Sequence, residues 1–240
     1  MKAPPTSIAA CTLEQTYWQQ GIVYVCGVDE VGRGPLAGPV IAAAVILDHR
    51  DPLHNLAGLN DSKQIAPQQR QQLATAIYNQ ALAVATGQAS VEEIDRLNIR
   101  VAALLAMQRA VMALSIAAQQ ALVDGRDVPD ALPCPATAII GGDGLCASIA
   151  AASIVAKVAR DQLMAELSQL YPGYGWEHNS GYPTPQHRRA LVQLGVTPQH
   201  RRSFAPVRQA IRGTDPVTPS THCQYGPASA PADPPDCSDH

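Results

Sequence analysis

Along this chain the apolar positions switch between a two-residue and a three-to-four-residue period, and each switch marks an element. Val23 to Val28 is short, β-branched and flanked by glycine, the pattern of a buried strand. After a loop at 32–38, Val40 to Leu47 reads as a second strand, because Pro39 and the β-branched residues after it oppose a helix start. A loop from Asp48 to Ser62 leads to a helix over Pro67–Gln80, with Pro67 in the first turn. Ala81 to Ala89 is a weakly marked third strand, and Ser90 with Glu93 has the spacing of a capping box for a short turn. Leu97, Val101, Leu104, Leu105, Gln108, Val111 and Met112 then trace one face of a long helix.

Ala121 to Val123, before Asp124-Gly125, and Ala136 to Ile140, before Gly141-Gly142-Asp143, are short strands that each run into an acid beside glycine. Ile149 to Leu170 is a second long helix, with Ile149, Ser153, Ala156, Leu163, Leu167 and Leu170 on or near one face. Tyr171 to Gly175 breaks it, Thr184 to Leu194 is a shorter helix, and Gln199 to Arg212 is basic and partly helical. The early strands suggest an antiparallel set, and the long helix before Asp124 a crossover to a strand parallel to the first. The expectation is an α/β fold: a five-stranded mixed sheet flanked by helices, with a C-terminal helical extension. By segment, 1–20 is a flexible start containing a short helix near Leu13–Gln20, 21–170 the core, 171–212 a basic extension, and 213–240 a disordered Pro-rich tail.

Composition narrows the function classes. With 240 residues and 46% apolar content there is ample material for a packed core, and only 4% aromatic residues beside abundant alanine implies close helix packing. A formal charge of −3 gives no global sign of a polyanion partner, yet 187–213 carries six arginines, two histidines and no acid, a segment suited to phosphates. Six cysteines without C-x-x-C spacing argue against zinc and against a disulfide framework. No signal-peptide core stands at the N-terminus, and no apolar run is long enough to span a bilayer, so a cytoplasmic protein without membrane contact is expected.

The candidate chemistry starts at Asp29-Glu30, two adjacent acids closing an apolar run, followed by the glycine-rich Gly32-Arg33-Gly34. A nucleotide cradle needs a helix after its glycines. Here a strand follows, so that reading is rejected. If the first, fourth and fifth strands lie side by side, Asp29, Glu30, Asp124 and Asp143 form one acidic cluster. Such carboxylates repel one another unless a cation sits among them. An all-oxygen set suits Mg²⁺ or Mn²⁺, and two such ions about 4 Å apart can activate a water against a phosphodiester. The pattern points to a nuclease.

Five blocks then carry a family resemblance: Asp29 to Gly38, Leu59 to Lys63, Ala151 to Asp161, Gly181 to Thr184, and His200 to Val207. In this order they resemble the signatures of bacterial ribonuclease HII, across about residues 20–210. The resemblance implies the ribonuclease H fold and cleavage of RNA in RNA–DNA hybrids. It also implies incision 5′ to single ribonucleotides in duplex DNA, leaving 3′-hydroxyl and 5′-phosphate ends, in the service of ribonucleotide removal. By the same carry-over Asp29, Glu30, Asp124 and Asp143 are metal ligands. Gly32, Arg33 and Gly34 contact the 2′-hydroxyl and its phosphate, and Tyr182 packs on the sugar of the next, deoxy residue. Ser62, Lys63, Lys157 and the arginines near 188 and 201, Arg201 among them, hold phosphates. A monomer acting on hybrids and on ribonucleotide-containing duplexes is implied.

The chain departs from the family pattern at Arg126, where Asn is usual, and at Gly141 and Ser180, where lysines are common. Two missing cations weaken phosphate contacts, and the arginine-rich end compensates. Asp161 is read as a structural ion pair beside Arg160 or as a group behind the site, and His178, His187 and His200 as surface or capping residues. Two rival readings are a ribonuclease H-like nuclease of other specificity, such as a junction resolvase, and a non-catalytic nucleic-acid-binding protein.

Overall fold

The computed structural model describes residues 11–54, 56, 59 and 65–213. Five strands form one sheet in the order β3-β2-β1-β4-β5: β1 Val25–Val31, β2 Val40–Ile46, β3 Ala83–Ala89, β4 Gln120–Asp124 and β5 Ala136–Ile139. β1–β2 and β2–β3 are antiparallel, whereas β1–β4 and β4–β5 are parallel. The expected mixed sheet is therefore present. The connection at 32–39 is too short to do anything but reverse the chain. That from β3 to β4 holds α3 (Val91–Leu97) and α4 (Ile99–Met112), enough to return the chain to a parallel start. Ser90 and Glu93 form the expected capping box, but it opens the helix α3 rather than a turn. Asn98 separates α3 from α4, its side chain accepting from the amides of Arg100 and Val101.

Alternate residues of β1 face opposite helical layers. Val25 packs with Ile149 of α5 (Ala147–Leu170), and Gly27 lies against the same helix, while Cys26 and Val28 join the core under α4. α2 (Pro67–Gln80) packs beside α5. A Cβ on Gly27 would fall inside the backbone of Ser148 and Ile149, so only glycine lets α5 lie this close to the central strand. Gly27→Ala is expected to cost about 3 kcal/mol. For a domain of this size that lowers Tm by roughly 6–12 °C. A melting curve matching wild type would show that α5 does not need the contact.

Three expectations are corrected. The face traced along α4 is only partly its buried one: Val111 is buried and Leu104 and Leu105 pack at the edge of the core, but the centre of the face is Ala102, Ala103, Ala106, Met107 and Ala110, while Val101 and Met112 are exposed. The cause is Gly87 of β3, where a Cβ would overlap the α4 backbone at Ala106 and Ala110. Backbones that close admit little beyond alanine. In α5 every residue from 147 to 156 is buried, and the line then continues through Arg160 and Met164 rather than Leu163, Leu167 and Leu170. The segment expected as a flexible start is docked from residue 11: α1 (Thr12–Trp18) buries Glu14, whose Oε1 accepts from the Ser148 amide at 2.9 Å and its hydroxyl at 2.6 Å. That carboxylate satisfies an amide in the first turn of α5.

After α5 come α6 (Trp176–Asn179), which the sequence pattern did not show, α7 (Pro185–Leu194), N-capped by Thr184, and α8 (Ala205–Gly213). Asp95 of α3 pins this extension by accepting from the amides of Arg202 and Ser203, both at 2.9 Å. No described helix is long and apolar enough to cross a membrane. The expected tail from 214 onward lies outside the described residues.

Candidate active site

The functional cleft arises because β1 outlasts its parallel neighbour. The β1–β4 ladder stops at Val28 and Val123, whereas β1 continues against β2 to Val31. Asp29 and Glu30 were expected to follow the strand. They lie within it, paired to Ala43 and Ala42 on one side and open on the other. Asp124 ends β4, and Asp143 sits in the 3-10 turn Gly142–Gly144 after β5. All four carboxylates line one cleft of about 390 Å³, together with Val31, Arg70, Ser153, Lys157 and Tyr182. It lies beyond the carboxyl ends of parallel strands, where strand order switches, as in other open α/β sheets.

The carboxylates crowd one another. Asp29 is only 7% exposed. Burial raises its pKa well above the usual range, and the charges of Glu30 and Asp124 raise it further, against hydrogen bonds from the Ser153 hydroxyl and the Glu30 amide. Burial also raises Glu30, opposed by Arg33, whose Nη1 lies 3.3 Å from Oε1. Asp124 Oδ1 accepts from the Gly142 amide at 2.7 Å, tying the end of β4 to the turn that carries Asp143.

Among the described residues, no three His, Cys, Asp or Glu side chains form a ready-made metal cage. Strand alternation explains this in part. Asp29 takes the α5 face beside Ser153, and Glu30 turns the other way, to Arg33. An oxygen-only set of this openness still fits Mg²⁺ or Mn²⁺: Mg²⁺ keeps several waters, uses one or two carboxylates and completes its shell from a substrate phosphate.

Two loops close the cleft, and they touch. A Cβ on Gly34 would stand 3.4 Å from Cε1 of the Tyr182 ring, so Gly34 and Tyr182 are packed face to face. Leu36 donates its amide to the Gly181 carbonyl at 2.8 Å. Behind the loops lie two buried arginines. Arg160 donates to the carbonyls of Pro39, Ala37 and Ser180 at 2.9–3.1 Å. Arg201, expected to hold a phosphate, is fully buried and donates to the carbonyls of Gly38, Arg33, Gly32 and Pro39. It faces the back of the loop, not the solvent. Burial lowers both arginines, to about 10 and about 9, which leaves both charged at neutral pH.

The histidines also depart from the surface reading. His187 and His200 are buried, 3.1 Å apart through their Nε2 atoms. His187 Nδ1 donates to the Tyr182 carbonyl at 3.0 Å, while its Nε2 receives the indole N–H of Trp176 at 3.1 Å. The Thr197 amide donates to His200 Nδ1 at 2.9 Å. These partners fix both rings as neutral tautomers, because a second proton on either would face a donor. Burial lowers both pKa values, that of His200 to about 3. A folded-state pKa below the unfolded value of about 6.5 means that the unfolded chain takes up protons first. Stability is therefore full above about pH 6.5 and expected to fall below it, by about 1.4 kcal/mol per pH unit for His200 down to about pH 3, with His187 adding in the same direction. Urea midpoints at pH 7, 6 and 5 measure this, and a flat profile would contradict two buried neutral rings.

Lys157 lines the cleft and pairs with Asp161 at 2.7 Å. Asp161 does form an ion pair, but with Lys157 and Arg70 rather than Arg160, and it accepts from the Ser180 hydroxyl at 2.9 Å. Ser62 and Lys63 lie outside the described residues. Sequence reasoning missed Ser153, Arg70, Arg160 and the histidine pair as parts of this region. For Ser153 a signal existed, since a hydroxyl inside a wholly buried helical run must find a partner.

A β3-β2-β1-β4-β5 mixed sheet flanked by helices, with acids gathered at the ends of β1 and β4, defines a ribonuclease H-like protein. The sequence profile of ribonuclease HII matches residues 26–207. The chain is 55% identical over 199 residues to ribonuclease HII of Ruegeria pomeroyi, covering 83% of each. It is 57% identical over 200 residues to that of Zymomonas mobilis, covering 82% of this chain and 90% of that one. Among solved structures, ribonuclease H2 of Pyrococcus horikoshii superposes with a TM-score of 0.66 at 28% identity, over 79% of this chain and 97% of that one. This chain belongs to the ribonuclease HII family. It is an endonuclease of the ribonuclease H class, a hydrolase that cleaves RNA in RNA–DNA hybrids, and enzymes of this class depend on divalent metal.

Proposed function

We propose that the protein incises duplex DNA 5′ to single embedded ribonucleotides as well as cutting hybrids, leaving 3′-hydroxyl and 5′-phosphate ends. Its role would be ribonucleotide removal by a cytoplasmic monomer, with 21–170 as the catalytic core and 171–212 as the substrate-holding extension. The observation that carries this reading is the joining of the four-carboxylate cleft to the Gly34–Tyr182 contact.

Asp29, Glu30, Asp124 and Asp143 would hold Mg²⁺ or Mn²⁺, two ions in the fullest arrangement. A bound ion there would sharpen the acidity of water and offset charge on the leaving oxygen. Ser153 orients the Asp29 carboxylate through its hydroxyl. The backbone at Gly32, Arg33 and Gly34 reads the 2′-hydroxyl, the one group that separates RNA from DNA at a given position. The Tyr182 ring, already against Gly34, lies on the sugar of the following nucleotide and leaves no room for a second hydroxyl. Lys157, held by Asp161, meets a phosphate from the α5 side.

Mapping the cut on an end-labelled duplex with one ribonucleotide, in Mg²⁺ and separately in Mn²⁺, tests this. One product ending at the 3′-hydroxyl of the preceding deoxynucleotide is expected, with none in chelator. Preferential cutting of an all-DNA branched junction would overturn it.

A further inference from the structure

We propose that Arg33, Arg100 and Arg126 form a second phosphate subsite on the α4 side of the sheet edge, which takes the backbone of the cut strand 5′ to the scissile phosphate. This rests on the reading of the carboxylate cleft above.

The placement follows from β1. Asp29 faces α5, with Ser153, Lys157 and Tyr182, and Glu30 faces α4, where Arg33 meets it. Across Glu30 and Asp124 from Tyr182, a narrow pocket of about 70 Å³ continues along α4 and is lined by all three arginines. At Arg100, Leu104 and Arg126 it opens into a groove of about 550 Å³, floored by Val101 and Leu105 and walled by Val128 and Pro129. A strand whose downstream sugar lies on Tyr182 and whose scissile phosphate lies at the carboxylates has this passage directly ahead of its upstream end.

The chemistry of the passage suits a nucleic-acid strand. Arg100 forms a two-pronged pair with Asp127, at 2.9 and 2.7 Å. Arg33 and Arg126 act on the same carboxylate through their charge. The pocket thus sets three guanidiniums against the carboxylates of Glu30, Asp124 and Asp127, the first two of which also line the metal cleft. If Glu30 and Asp124 turn toward an ion, Arg33 is released and the three guanidiniums are left with Asp127 as the one acid of this lining not engaged by the ion. Arg126 is exposed and follows Gly125, around whose Cβ position there is open space. Beyond the arginines, Val101, 39% exposed, and the half-buried Leu104 and Leu105 of α4 offer an apolar floor. A backbone alternating charged phosphates with less polar sugars matches arginines followed by leucine and valine. Phosphate contacts of this kind set position and affinity rather than sequence preference.

Arg126→Gln tests the proposal, because Arg126 makes no contact that supports the turn, and Arg100→Gln/Arg126→Gln extends it. For Arg126→Gln, KM on a duplex with one ribonucleotide should rise about 5-fold at 0.1 M salt with kcat within about twofold. The slope of log affinity against log salt should fall by about 1 per arginine removed. The strand is identified by charge-neutral methylphosphonates. Placed one to three positions 5′ of the cut on the same strand, they should abolish the difference between wild type and variant. Placed 3′ of the ribonucleotide, or on the complementary strand, they should leave it. Unchanged KM and salt slope would overturn the subsite, and so would a difference that survives neutralisation of the 5′ flank. Anisotropy of the same labelled duplexes with Asp29→Asn protein, with and without Arg126→Gln, reads binding without incision. Wild-type cleavage away from the ribonucleotide would thus count against the reading of the cleft, while the binding shift decides the subsite separately.

Discussion

Asp29→Asn is expected to lower Mg²⁺-dependent cleavage of an RNA–DNA hybrid by about 10³-fold or more, with hybrid affinity within a few-fold of wild type. Asparagine keeps the size and one acceptor oxygen of the side chain, so the Glu30 amide, 2.7 Å from Asp29 Oδ1, can keep its partner. What is lost is the negative charge at the centre of the cleft. Electrostatic stabilisation of a transferring phosphate by a held cation is worth several kcal/mol, and about 4 kcal/mol corresponds to roughly 10³ in rate. Affinity is expected to survive because, on the proposed reading, hybrid binding rests on positive groups elsewhere, Lys157 and the arginines. The same change should raise Tm in the presence of chelator, because Asp29 is buried and faces the charges of Glu30 and Asp124. Activity lost while stability is gained is the signature of a site kept at the expense of the fold. Full activity in this variant would remove Asp29 from the metal site, and a large loss of affinity would make it a binding group instead.

The second large effect lies behind the loop. Arg201→Met is expected to destabilise the protein by about 3–5 kcal/mol, because methionine fills the volume but removes the Arg201 donors from the carbonyls of Gly32, Arg33 and Gly38 in a buried place, and leaves Pro39 with Arg160 alone. Arg201→Lys should be intermediate. An ammonium has three donors from one point and cannot reproduce a planar fork. With the loop held less firmly, Arg201→Lys should cut embedded ribonucleotides with kcat/KM reduced about 10-fold, as expected when a substrate-reading backbone is loosened by fractions of an ångström. Thermal melts and incision kinetics check both variants. The alternative role, a surface arginine holding a phosphate, makes the opposite forecast: unchanged stability and a KM defect that shrinks at high salt. An Arg201→Met protein as stable as wild type would support it over the geometry described.

Much of the architecture was legible because it is dictated locally. The helix Pro67–Gln80, the capping box at Ser90 and Glu93, and the shorter helix read from Thr184 depend on neighbours a few residues away. The β1–β2 hairpin follows from a connection too short for anything else, and that alone excluded a nucleotide cradle. Asp29 and Glu30 were visible because two adjacent acids closing an apolar strand have no obvious packing use, whereas Asp124 and Asp143, each beside glycine, by themselves read equally as turns; the sheet brings all four to one cleft. Arg201 marks the limit. In the sequence it sits among five other arginines of 187–213, with nothing to distinguish a buried guanidinium from solvated ones.

What the sequence by itself determined is the five strands, the longer helices and their order, and the four acids able to do chemistry, since hydrophobic period, caps and turn residues act over a few positions; α3 and α6 were not among them. What only the tertiary structure decided is direction and partnership. The face of α4 that meets the sheet was set by Gly87 on a different strand, which let alanines approach and left Val101 and Met112 outside. Asp29 and Glu30, adjacent in the chain, came to look toward opposite layers because a strand alternates. Arg160 and Arg201 became the backing of the cleft because the chain returns more than a hundred residues later to carbonyls that the first hairpin leaves without strand partners. Donors and acceptors so far apart meet only after the core has formed, so no local pattern can announce them.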